Sequence, residues 1–114
     1  MTEKMNSSRP IALVTGASRG IGAAIAQKLA QDGFYVLINY ASNESKAREV
    51  LERILKAGGS GELCGFDVAQ SDQVDAKLEV VAKTLGPIQV LVNNAGVTID
   101  SLLLRLKDED LEKT

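Results

Sequence analysis

Apolar residues follow two alternating patterns along this chain: short unbroken runs, and longer stretches at helical spacing. Ile11-Ala-Leu-Val14 is an unbroken run of the length expected for a strand buried on both faces. Beyond a group of glycines, Ile21, Ala24, Ile25 and Leu29 recur as one face of a helix, and Gly33 stands where a C-cap belongs. Tyr35-Val-Leu-Ile38 repeats the buried-strand pattern. Asn43 then precedes a stretch in which Ala47, Val50, Leu51, Ile54 and Leu55 share one helical face, closed by Gly58 and Gly59. Leu63 to Phe66 gives a third strand, interrupted by Gly65. Ser71 is placed as the N-cap of a third helix carrying Val74, Leu78, Val81, Ala82 and Leu85, and Gly86-Pro87 ends it. Ile88 to Val92 reads as a fourth strand, and Asp108-Glu-Asp110 puts acidic residues where they favour the start of another helix.

Strand and helix alternating in this way predict an α/β fold with a parallel sheet and helices on both faces. At 114 residues there is room for one such unit, and no linker, repeat or low-complexity segment divides it. The first nine residues are polar and are expected to be a flexible N-terminus.

Composition narrows the function classes. Thirteen basic residues against fifteen acidic ones give a net charge of -2, without the basic patch of a nucleic-acid binder. No apolar run approaches the ~20 residues of a membrane span, and the N-terminus lacks a signal-peptide core. A soluble, cytoplasmic protein is expected. The single cysteine, Cys64, lies in an apolar stretch and reads as a small buried hydrophobe. With no histidine, His-based metal sites and Ser-His-Asp triads are excluded from this sequence, and no metal is expected.

The most informative segment is Thr15-Gly-Ala-Ser-Arg-Gly-Ile-Gly22, between the first strand and the first helix. Glycines at 16, 20 and 22 let the backbone turn sharply and approach a ligand closely. The helix that follows points free N–H groups and its positive dipole end at the loop, so an anion fits there. In a sheet of this type a pyrophosphate is the natural occupant.

These residues resemble the cofactor loop of the short-chain dehydrogenase/reductase family. Asn93-Asn-Ala-Gly96 matches that family's Asn-Asn-Ala-Gly signature, and Asp67-Val68 matches its adenine-contacting Asp. All three motifs occur in the family's order, each at the C-terminal end of an expected strand. Asn39-Tyr-Ala-Ser-Asn43 and the segment from Gly96 to Glu109 are similar to the branch that reduces 3-oxoacyl groups on acyl carrier protein in fatty acid synthesis. Acetoacetyl-CoA reductases look similar over the same residues. The resemblance implies a Rossmann-type doubly wound parallel sheet in three αβα layers, strand order 3-2-1-4, truncated after the fourth strand. Residues 1–114 would then be one partial dinucleotide-binding domain.

The resemblance also implies a cofactor site built from Gly16, Ser18, Arg19, Gly20, Ile21, Gly22, Tyr40, Ala41, Ser42, Asp67, Val68, Asn94, Ala95 and Gly96, with Asn93 bracing the central strand. An NAD enzyme usually ends its second strand with an acid that reads the ribose 2′-OH. Here Asn39 stands at that point and no carboxylate follows until Glu44, while Arg19 offers a planar cation to a 2′-phosphate. NADPH is therefore the expected cofactor. Leu102, Leu103, Leu104 and Leu106 could be core, a subunit contact or part of an acyl entrance, and are read first as core or subunit packing.

In the family, a Tyr donates a proton, a Lys four residues later lowers its pKa, and a Ser positions the carbonyl. This sequence has two tyrosines, Tyr35 and Tyr40, and four residues beyond them stand Asn39 and Glu44. No catalytic residue is assigned, and the chain by itself is expected to be inactive. The resemblance implies 3-oxoacyl-acyl-carrier-protein as the substrate of an intact relative. An exposed fourth-strand edge is expected to favour self-association, in a family whose members are tetrameric. The alternative is a non-catalytic half-domain that binds a nucleotide or self-associates.

Overall fold

Ile11–Thr15 forms strand β1, every residue of it buried, because the strand has neighbours on both sides and helices on both faces. The computed structural model describes residues 9–18 and 20–94. Over these the order is β1, helix α1 (Gly20–Gln31), β2 (Tyr35–Tyr40), α2 (Glu44–Lys56), β3 (Ser60–Gly65), α3 (Ser71–Thr84) and β4 (Ile88–Asn93). The four strands pair in parallel in the order β3-β2-β1-β4, which is the expected topology. Asp108 to Asp110 and the leucines at 102, 103, 104 and 106 lie outside the described residues, as do residues 1–8.

Alternation along the strands divides the core into two layers. Val14, Val36 and Ile38 face α1 and α2, where they meet Ala23, Ala26, Ala30, Ala47, Val50 and Ile54. Ile11, Leu13, Leu37 and Cys64 face α3, where they meet Val74, Leu78 and Val81. Burying each Leu, Ile or Val side chain is worth about 1.5–3 kcal/mol, so these layers hold the sheet in its order. Cys64 is buried as expected, and that burial pushes its thiol pKa up to about 12. It therefore stays protonated at neutral pH and packs as an apolar group.

Four readings of the sequence are corrected. In α1 the buried face is Gly22, Ala23, Ala26 and Ala30, whereas Ile21 is 72% exposed, Ala24 is exposed, and Ile25 and Leu29 are half-buried. Small side chains let this helix lie close against the sheet, and that wins over burying the larger ones. In α2 the face is Ala47, Val50 and Ile54, with Leu51 half-buried and Leu55 52% exposed. Strand β3 runs from Ser60, three residues before the apolar run, because its pairing with β2 starts at Tyr35↔Ser60. Phe66 is buried just beyond the strand's end. Finally, Ser71 is the first residue of α3, and the N-cap is Gln70, whose side chain makes no capping bond. Asn43, which precedes α2 in the sequence, caps it, its side chain accepting from the Lys46 N–H at 3.4 Å.

Gly61 shows why β3 tolerates so little side chain against β2. A Cβ there would stand 2.5 Å from the Val36 carbonyl oxygen, a main-chain atom of the paired strand that cannot swing aside. Gly61→Ala is expected to lower unfolding free energy by about 2 kcal/mol or more, read from urea denaturation midpoints.

Candidate nucleotide-binding site

The glycine loop sits where β1 ends and α1 begins. Gly16 and Gly20 have φ of 61° and 63°, the left-handed region that side chains rarely enter. Gly22 has another reason to be glycine. A Cβ there would lie 2.4 Å from the Gly16 carbonyl oxygen and 2.6 Å from Asn94 Nδ2. The helix thus starts in close contact with the loop, its N–H groups directed toward the turn. No acidic residue occupies its first turn to compete with a bound anion.

Thr15 ties the loop to β4. Its hydroxyl, fully buried, accepts from the Asn94 N–H at 3.0 Å, and its proton is within reach of Asn93 Oδ1 at 3.1 Å and the Val92 carbonyl at 3.3 Å. Asn94 Nδ2 in turn donates to the Gly16 carbonyl at 3.0 Å. Asn93 braces β4 against β1, and Asn94 reaches the loop.

A cleft of about 560 Å³ opens above these strand ends, lined by Gly16, Ser18, Gly20, Tyr40, Ala41, Ser42, Asn43 and Asn94. Seven of the eight were expected from the sequence, and Asn43 was not. Among the described residues no carboxylate is in the lining. Of the other expected residues, Gly22 packs beneath the loop, and Ile21 projects outward with 72% of its surface exposed. Arg19, Ala95 and Gly96 lie outside the described residues.

Asp67 and Val68 do not line this cleft. They follow β3 beside the end of β2, to which the Phe66 N–H bonds through the Tyr40 carbonyl at 3.0 Å. The Asp67 carboxylate accepts from the Ala69 N–H at 3.0 Å, and its own N–H donates to Gln73 Oε1 at 2.9 Å. This turn is fastened to the first turn of α3, and Val68 packs into the layer beneath.

The second-strand end differs from the sequence reading. Asn39 does not present its side chain to a ribose: it is only 2% exposed and turned into the protein. Its Oδ1 accepts from the Gly16 N–H at 3.1 Å, while Nδ2 donates to the carbonyls of Cys64 at 3.1 Å and Phe66 at 2.9 Å. The residue that faces the cleft is the next one, Tyr40. Its ring lies over Gly65, where a Cβ would come within 2.7 Å of the phenol carbon and oxygen. Gly65 is therefore a glycine that makes room for a side chain at the site. An Asn inside an otherwise apolar strand was the available signal for a buried hydrogen-bonding role.

The family model for short chain dehydrogenases matches residues 10–114. The chain belongs to the short-chain dehydrogenase family. It is 46% identical over 99 residues to the 3-oxoacyl-(acyl-carrier-protein) reductase FabG of Staphylococcus aureus, covering 87% of this chain and 40% of that protein. To the 3-oxoacyl-(acyl-carrier-protein) reductase of Synechocystis it is 47% identical over 100 residues, covering 88% and 40%. The chain thus spans about two fifths of the length of the curated relatives it matches. Among solved structures, a metagenomic short-chain oxidoreductase in complex with NADP superposes with a TM-score of 0.73 at 46% identity, covering 77% of this chain and 39% of that one. The candidate site of this short-chain dehydrogenase chain lies at the C-terminal ends of the parallel strands, where open α/β sheets bind ligands.

Proposed function

We propose that these residues form the NADPH-binding region of a cytoplasmic 3-oxoacyl-(acyl-carrier-protein) reductase, an enzyme that reduces 3-oxoacyl groups to 3-hydroxyacyl groups in fatty acid synthesis. The observation that carries this reading is the cleft itself: a glycine loop at a helix N-terminus, opening on a second-strand end without a carboxylate. Such a cradle fits a pyrophosphate at Gly16 to Gly22 and leaves a 2′-phosphate unopposed at Tyr40 to Ser42. Arg19, in the same loop, is proposed as the cation for that phosphate. Asp67 and Val68 are proposed to meet the adenine, and Asn94 with Ala95 and Gly96 the ribose. Bound NADPH supplies the hydride; the residues of this chain hold and orient it. The resemblance to reductases acting on acyl-carrier-protein substrates supports the substrate class.

Neither tyrosine suits the proton-donating role. Tyr35 is held above the ordinary phenol range by burial and by its 2.7 Å hydrogen bond to Glu62, the wrong direction for a group that must release a proton. Tyr40 has Glu44, not a lysine, four positions on. We therefore propose that the 114 residues alone bind cofactor without turnover. Self-association is supported by β4, which lies at the edge of the described sheet and is only half-buried. A concentration-independent monomer in sedimentation would refute it.

Titration of the chain with NADPH and NADH, by nicotinamide fluorescence, tests the cofactor assignment. Saturable binding that favours NADPH is expected. Tyr40→Asp, which places a carboxylate in the cleft, is expected to reverse that preference by about tenfold or more. Unchanged preference in a folded Tyr40→Asp chain would mean that Tyr40 to Ser42 do not face the 2′-position.

A further inference from the structure

Asn39 stands where two strands part. Regular pairing of β1 with β2 ends at Val14↔Ile38, whereas β2 stays paired with β3 through Tyr40↔Gly65. In the gap, Asn39 makes the connections that the ladder no longer supplies. Its side-chain oxygen accepts from the Gly16 N–H, and its main-chain oxygen accepts from the Ala17 N–H at 3.0 Å. Its side-chain amide donates to two carbonyls at the far end of β3, those of Cys64 and Phe66. One residue later comes Asp67.

Among the described residues only two polar side chains are buried: Thr15, which joins the start of the glycine loop to the end of β4, and Asn39, which bonds to Gly16 of the loop. A buried amide is costly unless its hydrogen-bonding atoms are met, and an apolar residue would continue the strand at least as well. The bonds it makes do not strengthen the core layers; they fix the first turn of the loop relative to the end of β3.

We propose that Asn39 is a positioning residue for the cofactor, clamping the Gly16–Ala17 turn to the end of β3 so that the pyrophosphate cradle and the adenine-side turn keep a fixed separation. The inference rests on the nucleotide-binding reading above. It assigns Asn39 no contact with the ligand: the side chain acts through Gly16. It also means that cofactor choice is not made at position 39.

Two measurements test it. In the unliganded full chain, amide hydrogen exchange at Gly16 is expected to be slowed at least about a hundredfold relative to an unstructured peptide. Exchange at an open-loop rate would overturn the clamp, whatever the chain binds. In Asn39→Leu, NADPH affinity of the folded protein is expected to fall about tenfold or more. Adenosine 2′-monophosphate, which lacks the pyrophosphate, is expected to lose less than about threefold. Wild-type NADPH affinity in that variant, or an equal loss for both nucleotides, would overturn the positioning role. A wild-type chain that binds neither nucleotide would instead refute the proposed function, with Gly16 protection still deciding the clamp. Should Asn39→Leu not fold, the exchange measurement on the wild-type chain decides alone.

Discussion

Gly22→Ala is expected to abolish measurable nucleotide binding and to lower unfolding free energy by about 2–3 kcal/mol. The reason is contact, not backbone conformation, since Gly22 is not among the positive-φ glycines. The new methyl group would sit 2.4 Å from the Gly16 carbonyl oxygen, 2.6 Å from Asn94 Nδ2 and 3.1 Å from the Ala17 Cα. Two of these three atoms belong to the main chain of the loop, so relief requires the loop and the start of α1 to move apart. That movement also breaks the 3.0 Å bond from Asn94 to the Gly16 carbonyl, because the methyl occupies the same place. The affinity loss should reach at least about a hundredfold, by the roughly 2.7 kcal/mol that two displaced loop contacts represent. Calorimetric titration beside urea denaturation reads both quantities. Gly33→Ala is the matched control. At φ 98° nothing stands within 4 Å of its added Cβ, so it should cost roughly 1 kcal/mol of stability and leave binding intact. If Gly22→Ala bound as tightly as the Gly33 variant, the close approach of α1 to the loop would be wrong.

Thr15→Val is the second large effect. Valine keeps the shape of the side chain and removes the hydroxyl, so packing against β1's neighbours is nearly unchanged. The Asn94 N–H then loses its acceptor, and Asn93 Oδ1 loses the Thr15 donor, in a place from which water is excluded on the Thr15 side. Losing a hydrogen bond at this part-buried place costs about 1–3 kcal/mol, and a loss in that range is expected. Ligand affinity should fall in the same variant, because Asn94 is held by Thr15 at one end and supports Gly16 at the other. Thr15→Ser, which keeps the hydroxyl and drops one methyl, should restore affinity while recovering only part of the stability. A Thr15→Val chain as stable as wild type, or a Thr15→Ser chain that binds no better than Thr15→Val, would contradict this account.

The element order was legible because its causes are local. Unbroken apolar runs mark strands covered on both faces, and helical spacing marks the segments between. The glycine loop was legible for the same reason: positive φ at Gly16 and Gly20 narrows the residue choice to nearly one. Less was legible where the decision is made between elements. Periodicity allowed two faces for α1, and the bulkier face of Ile21, Ala24, Ile25 and Leu29 was preferred over Gly22, Ala23, Ala26 and Ala30. Helix-to-sheet distance reversed that preference. At the end of β2, strand alternation does not say which of two neighbouring residues looks into the cleft. The parting of β1 and β2 turns Asn39 inward and leaves Tyr40 at the opening. Gly65 interrupts the pattern of β3 when read along the chain, and makes space for a ring when seen across the sheet.

The sequence by itself determined that this protein is an α/β chain with a phosphate loop after its first strand, since runs, spacings and obligatory glycines act within a few residues. Only the tertiary structure decided how that loop is held. Thr15 and Asn39 reach partners 23 to 79 positions away, in the glycine loop and at the ends of β4 and β3, and no local pattern encodes which distant carbonyl or amide a buried polar side chain will meet.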